Sequence, residues 1–130
     1  MRASIKPGAI HYDFWVGNTL WRDGHLVAVV DWSGARRGPC AVDVAWLRLD
    51  LILQGRDEAA DLVVDHYEQH AGRQITDLAA WDLQAAAQAD PVVESWLPNY
   101  HGIGLVHLTA EQLRQRLDCW STALLAGRNL

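Results

Sequence analysis

The stretch His11-Tyr12-Asp13-Phe14-Trp15-Val16-Gly17-Asn18 places an imidazole, a carboxylate and a carboxamide within eight residues, and Asp31-Trp32 follows thirteen residues after Asn18. Phosphoryl transfer from a nucleotide calls for these residue types. A carboxylate must accept or orient the proton of the attacking hydroxyl, and hard oxygen ligands must hold the Mg²⁺ that bridges the phosphates. Asp13 suits the first role. Asn18, five residues on, offers a neutral carbonyl oxygen and Asp31 an anionic one, a pair that suits a hard cation. Taken singly, each residue has a plainer reading: His11 in a core, Asp13 as a cap, Asp31-Trp32 as a strand end with a buried indole. A metal hydrolase built on His11, Asp13 and Asp31 has the right ligand types but lacks a further His or carboxylate at a suitable spacing.

Two other motifs carry less. Gly102-Ile103-Gly104 lacks the third glycine and preceding strand of a dinucleotide fingerprint and reads as a loop. His66 and His70 stand one helical turn apart, but Tyr67 holds the place where a zinc-protease helix carries glutamate, so they read as two exposed histidines on a polar face.

The elements that must position the site follow from pattern. Thr19 to Trp21 and Leu26 to Val30 are short apolar runs around Arg22-Asp23-Gly24-His25, which predicts a tight β-hairpin with Asp31 at the end of its second arm. From Ala41 to Leu53, Val42, Ala45, Trp46, Leu49, Ile52 and Leu53 recur at helical offsets, and Gly55 closes the run. Asp57 to Ala71 repeats the pattern through Leu62, Val63, Tyr67 and Ala71, with Gly72 as its C-terminal cap. Asp77 to Ala89 predicts a third helix stopped by Pro91, with a short piece from Val92 to Leu97 after it. Thr109 and Gln112 form a capping box ahead of a core stripe of Leu113, Leu117, Trp120, Leu124 and Leu125. The expected fold class is α+β: a small β-hairpin and catalytic loop, then a mainly α-helical body.

Composition narrows the partners. The 130 residues make one domain's worth of chain, half hydrophobic and with a formal net charge of −5, so a nucleic-acid or anionic-membrane surface is not expected. No apolar stretch is long enough to span a membrane and residues 1–8 lack a secretory h-region, so a cytoplasmic location is expected. Cys40 and Cys119 make no C-x-x-C and are expected as reduced, buried thiols.

The run His11 to Asp43 resembles the aminoglycoside phosphotransferase family, the kinase-like group that includes choline and homoserine kinases. That family carries H-G-D-x-x-x-x-N, a short hairpin, I-D-[WF] and G-x-P-x-x-D-x-A. The last appears here as Gly38-Pro39-Cys40-Ala41-Val42-Asp43-Val44-Ala45, with one residue fewer between Gly and Pro, and Tyr12 stands where the family has Gly. The resemblance implies Asp13 as catalytic base, Asn18 and Asp31 as ligands for Mg²⁺ and the nucleotide, and His11 and Asp43 as supports. It implies ATP or GTP as co-substrate and a small-molecule hydroxyl acceptor, an aminoglycoside or another, with Asp61, Asp65, Asp82, Asp90 and Glu94 available for a cationic one. The helices extend the likeness over nearly the whole chain, so residues 1–130 read as a single domain, a kinase-like C-terminal lobe. The N-terminal lobe, with its phosphate-covering loop and lysine, has no counterpart, since the only lysine is Lys6. The alternative is a truncated, non-catalytic kinase-derived domain whose exposed apolar surface recruits a partner or a second copy.

Overall fold

The computed structural model describes residues 8–127, so Lys6 lies outside the described residues. The order is β1 (Gly8–Ile10), a 3-10 turn (Val16–Asn18), β2 (Thr19–Arg22), β3 (His25–Val29), β4 (Arg36–Gly38), then α1 (Ala41–Leu53), α2 (Asp57–Ala71) and α3 (Leu78–Ala89). A second 3-10 turn (Val93–Trp96) leads into α4 (Leu97–Gly102), and α5 (Ala110–Gly127) closes the fold. The α+β class is as expected.

The hairpin forms where the sequence places it. Asp23 and Gly24 both adopt positive φ, the backbone of a two-residue turn whose twist matches its strands, and β2 and β3 run antiparallel with one irregularity between Leu20 and Trp21. Pairing continues past β3, where the Val30 N–H donates to the Asn18 carbonyl at 2.8 Å. A second antiparallel pair, β1 with β4, sets Ile10 opposite Arg36 and had no local sign in the sequence. Leu20, Trp21, Leu26 and Val27 remain exposed on the hairpin.

α1 is the central helix and packs on α2, α3 and α5. Its Ala45, Leu49 and Leu53 meet Ala85, Ala86 and Ala89 of α3, Leu113 and Leu117 of α5, and Val93, Tyr100 and Leu108. Each fully buried leucine here stabilises the fold by roughly 1.5–3 kcal/mol. Across this body the Arg48 guanidinium donates to both oxygens of Asp82 and to the Ala60 carbonyl, joining α1, α2 and α3. The capping box is reciprocal: Thr109 N–H to Gln112 Oε1 and Gln112 N–H to Thr109 Oγ1, both 3.1 Å.

Several expectations need correction. Leu62 and Leu125 are exposed: the buried residues of α2 are Ala60 and Val64, each two positions from Leu62, which puts Leu62 on the opposite side of the helix, and Leu125 lies beyond Leu117, the last buried residue of α5. α3 starts at Leu78, with Asp77 in the left-handed region ahead of it. The short piece after Pro91 covers Val93–Trp96, and its continuation is helical because Pro98 sits in the first turn of α4, where its missing N–H costs nothing. Cys40 is half-buried and Cys119 exposed, so the thiols are free but not buried. Among the described residues no helix is long and apolar enough to cross a membrane.

Candidate active site

The loop from His11 to Asn18 is fixed by side chains on both of its flanks. Asp43, in the first turn of α1, accepts the His11 N–H through Oδ2 at 2.7 Å and the Tyr12 N–H through Oδ1 at 2.9 Å. A carboxylate at a helix N-terminus is favoured there by the helix dipole, so Asp43 ties the loop to the body at an electrostatically suitable point. His11 is buried. Its Nδ1 accepts the Asp13 N–H at 3.1 Å, which leaves the ring proton on Nε2 to donate to the Val30 carbonyl at 2.7 Å. Both ring nitrogens are therefore engaged and neither is left for a metal, which removes the hydrolase built on His11.

Asn18 is buried beneath the same loop. Its Nδ2 donates to the Asp13 carbonyl at 2.8 Å and reaches the Asp13 carboxylate at 3.4 Å, so the opposite end, Oδ1, is turned away from Asp13. Trp15 folds back over the 3-10 turn, and a Cβ at Gly17 would collide with its indole, which makes glycine the residue that fits there. Its ring then meets Tyr100 edge-on at 5.7 Å.

Asp31 follows directly on Val30, the residue bonded to Asn18. It adopts φ +61, a left-handed backbone that Asp tolerates better than most residues. Its carboxylate is exposed and accepts the Ser33 Oγ–H through Oδ1 at 3.0 Å. Among the described residues no hydrogen bond joins that carboxylate to Asp13 or Asn18. The Trp32 ring lies 4.6 Å from that of His11 but is 52 % exposed, so the indole is not the buried strand-end residue of the plainer reading. His11, Asp13, Asn18 and Asp43 are thus brought together by direct bonds, and Asp31 is held beside them through its neighbours Val30 and Trp32.

Asp13 opens onto a cavity of about 260 Å³ lined by Trp15, Trp46, Leu49, Asp50, Trp96, Asn99 and Tyr100 as well. Asp50 is the residue that pattern reading missed. It is 3 % exposed, accepts the Val16 N–H at 3.0 Å, Gln54 Nε2 at 3.0 Å and the Tyr100 hydroxyl at 2.8 Å. Burial pushes its carboxyl above the usual carboxylate range, against these hydrogen bonds and the charge of Arg56. Burial, and then Asp50 itself, push the Tyr100 phenol upward as well. One signal was available: Asp50 interrupts the apolar run of α1 seven residues after Asp43 and four after Trp46, hence on their face.

The acidic residues expected to serve an acceptor lie elsewhere. Asp82 is 1 % exposed and bound to Arg48, and it is not among the residues that line the Asp13 cavity. Asp90 and Glu94 hold Arg114 at 2.7 and 2.6 Å, and Asp61 and Asp65 are exposed on α2. His66 and His70 are exposed there too, and Gly102 is the last residue of α4.

A model of the phosphotransferase enzyme family, APH, matches residues 1–83, from ahead of the His11 loop into α3. The match ends short of the nearly full-length likeness that the helices suggested, yet it takes in the loop, the hairpin, Asp31, Asp43 and Asp50. Motif, geometry and match agree over most of the chain, which belongs to the phosphotransferase enzyme family.

Proposed function

We propose that this chain is the C-terminal lobe of a small-molecule kinase that passes the γ-phosphoryl of ATP or GTP to a hydroxyl held in the aromatic cavity. The observation that carries the reading is the placement of Asp13, which lines the cavity while its main chain is held by the His11 ring and the Asn18 amide. Asp13 is then the base that accepts the hydroxyl proton, and His11 and Asp43 keep it in place. Asn18 Oδ1 and the Asp31 carboxylate are oxygen donors that fit Mg²⁺, which keeps its remaining positions for phosphate and water. Bound there, the ion would neutralise charge on the phosphate oxygens.

Three tryptophans, a tyrosine and the carboxylates of Asp13 and Asp50 suit an acceptor that carries an ammonium group as well as a hydroxyl, an aminosugar or amino alcohol. The described residues hold no lysine to grip the phosphates, and the reading assigns that group to a completing N-terminal lobe. A nucleotide-dependent reaction on a small acceptor fits a cytoplasmic location. The exposed Leu20, Trp21, Leu26 and Val27 favour a second reading, self-association of a non-catalytic domain, which sedimentation as a monomer at micromolar concentration would refute.

The test is phosphate transfer from labelled ATP or GTP to a panel of amino alcohols and aminosugars, using the chain joined to an N-terminal lobe of the family. Asp13→Asn should lower turnover about 10²–10⁴-fold with the fold intact. Undiminished turnover in that variant removes Asp13 from the chemistry.

A further inference from the structure

Tyr12 stands where the family pattern carries glycine, and it keeps a glycine-like backbone, with φ +73. A side chain in the left-handed region is disfavoured and persists only where its surroundings hold it. Two contacts do so here. Asp43 accepts the Tyr12 N–H, and the Arg36 guanidinium lies over the Tyr12 ring, 3.8 Å from its centroid. The ring therefore packs away from the cavity.

Arg36 begins β4, five residues after Asp31, and its Nε donates to the Gly34 carbonyl at 3.3 Å. A Cβ at Gly34 would stand 3.7 Å from the His11 carbonyl oxygen and 3.7 Å from the Tyr12 Cβ, so the turn that carries Asp31 lies directly against the loop that carries Asp13. Several attachments pin the two segments together: Val30 bonded to the His11 ring and to the Asn18 carbonyl, Ile10 paired with Arg36, Trp32 against His11, and Arg36 on Tyr12. Of these, the Arg36–Tyr12 contact runs through the side chain at which this sequence departs from its family. The carboxylate of Asp31 receives its hydrogen bond from Ser33 of the same turn, so its place relative to Asp13 is inherited from how firmly that turn is held.

We propose that Tyr12 and Arg36 are positioning residues, a side-chain latch that fixes the Asp31 turn against the Asp13 loop and thereby sets the reach of Asp31 toward a bound metal. Glycine at position 12 offers no face for the guanidinium. The latch itself rests on geometry alone, while its consequence for metal binding rests on the phosphotransferase reading.

Hydrogen–deuterium exchange of the ligand-free chain tests it at the Ala35 amide, which closes the turn by donating to the Trp32 carbonyl at 2.9 Å. Three variants separate the contributions. Tyr12→Phe keeps the ring, Tyr12→Leu keeps the left-handed backbone but removes the face, and Arg36→Met keeps the stem but removes the cation. The Leu and Met variants should exchange about two- to five-fold faster at Ala35, the change that a surface cation–π contact is worth, with Phe like the wild type and the α1 core amides unmoved. Unchanged exchange at Ala35 overturns the latch, as does acceleration shared equally by the α1 core, which would make the stack a general stability contact. Acceleration in Tyr12→Phe equal to that in Tyr12→Leu overturns it also. Mn²⁺ titrated with ATP and followed by water proton relaxation gives the second readout, in which Leu and Met weaken binding by the same factor and Phe does not. Wild-type chain that takes up no Mn²⁺ contradicts the phosphotransferase reading, and the exchange result then decides the latch by itself.

Discussion

Arg48 and Asp50 are two residues apart on the same helix, both are buried, and they do opposite things. Arg48 meets the carboxylate of Asp82 in the helical body and has its remaining donors directed to Ala60 and Asp61. Asp50 sits at the wall of a cavity, where its acceptors are filled by neutral donors, Val16, Gln54 and Tyr100, and the charge of Arg56 acts on it without an ion pair between them. A buried ion pair neutralises itself and joins three helices. A buried carboxyl at a cavity wall is instead raised by its own desolvation, a cost that a cation entering the cavity would offset.

The sharpest way to break this comparison is Arg48→Met. It leaves Asp82 buried and unpaired and should cost about 3–5 kcal/mol in urea unfolding. A cost below about 1 kcal/mol would mean that the pair is not the keystone of the body.

Asp50→Ala comes next. It strands the Val16 N–H and the buried Tyr100 hydroxyl and should cost about 2 kcal/mol in thermal or urea unfolding, while weakening any cationic ligand of the cavity. A variant of full stability would show that those donors find other acceptors.

The charge on Asp50 can be isolated by pH. Its folded carboxyl is raised above 3.8, so the fold binds the proton more tightly than the unfolded chain does. The resulting contribution is fully present at low pH and is lost as pH rises through the folded value. Asp50→Asn mimics the protonated form, so its melting temperature should gain on that of the wild type as pH rises above 3.8. A difference that stays constant with pH would show that Asp50 carries no such linkage.

The smallest effect belongs to the exposed cluster around Arg114. Its hydrogen bonds hold the Glu94 carboxyl down at about 2. Stability from a lowered carboxylate is present above its ordinary value of 4.5 and is lost as pH falls toward 2. Arg114→Ala should therefore lower the melting temperature slightly at neutral pH, because exposed pairs are screened by solvent, and the difference from the wild type should vanish as pH falls toward 2.

What was legible in the sequence was local. Asp23-Gly24 announced the hairpin, Thr109 and Gln112 the last helix, and Gly72 the end of α2, which it closes at φ +68. Each depends on dihedral preference or on partners within four residues. The loop from His11 to Asn18 was legible because its spacing is fixed by one short turn. Asp50 was not, since its meaning comes from Tyr100, fifty residues away, and from a cavity that exists only once α4 folds over α1. The β1–β4 pair was hidden for the same reason: three-residue strands far apart leave no pattern. Asp82 misled because an acidic residue on a helix reads as surface until its partner is known.

The central claim is that Asn18 and Asp31, held by the hairpin, provide a metal site for a nucleotide. Isothermal titration of Mg²⁺-ATP and Mg²⁺-GTP into the chain, in parallel with Asp31→Ala and Asn18→Ala, tests it most directly. Saturable heat with the wild type that weakens at least about tenfold in both variants is the predicted result, the scale expected for removing a partner of a charged contact. A flat wild-type titration, or binding that is indifferent to both substitutions, would contradict it.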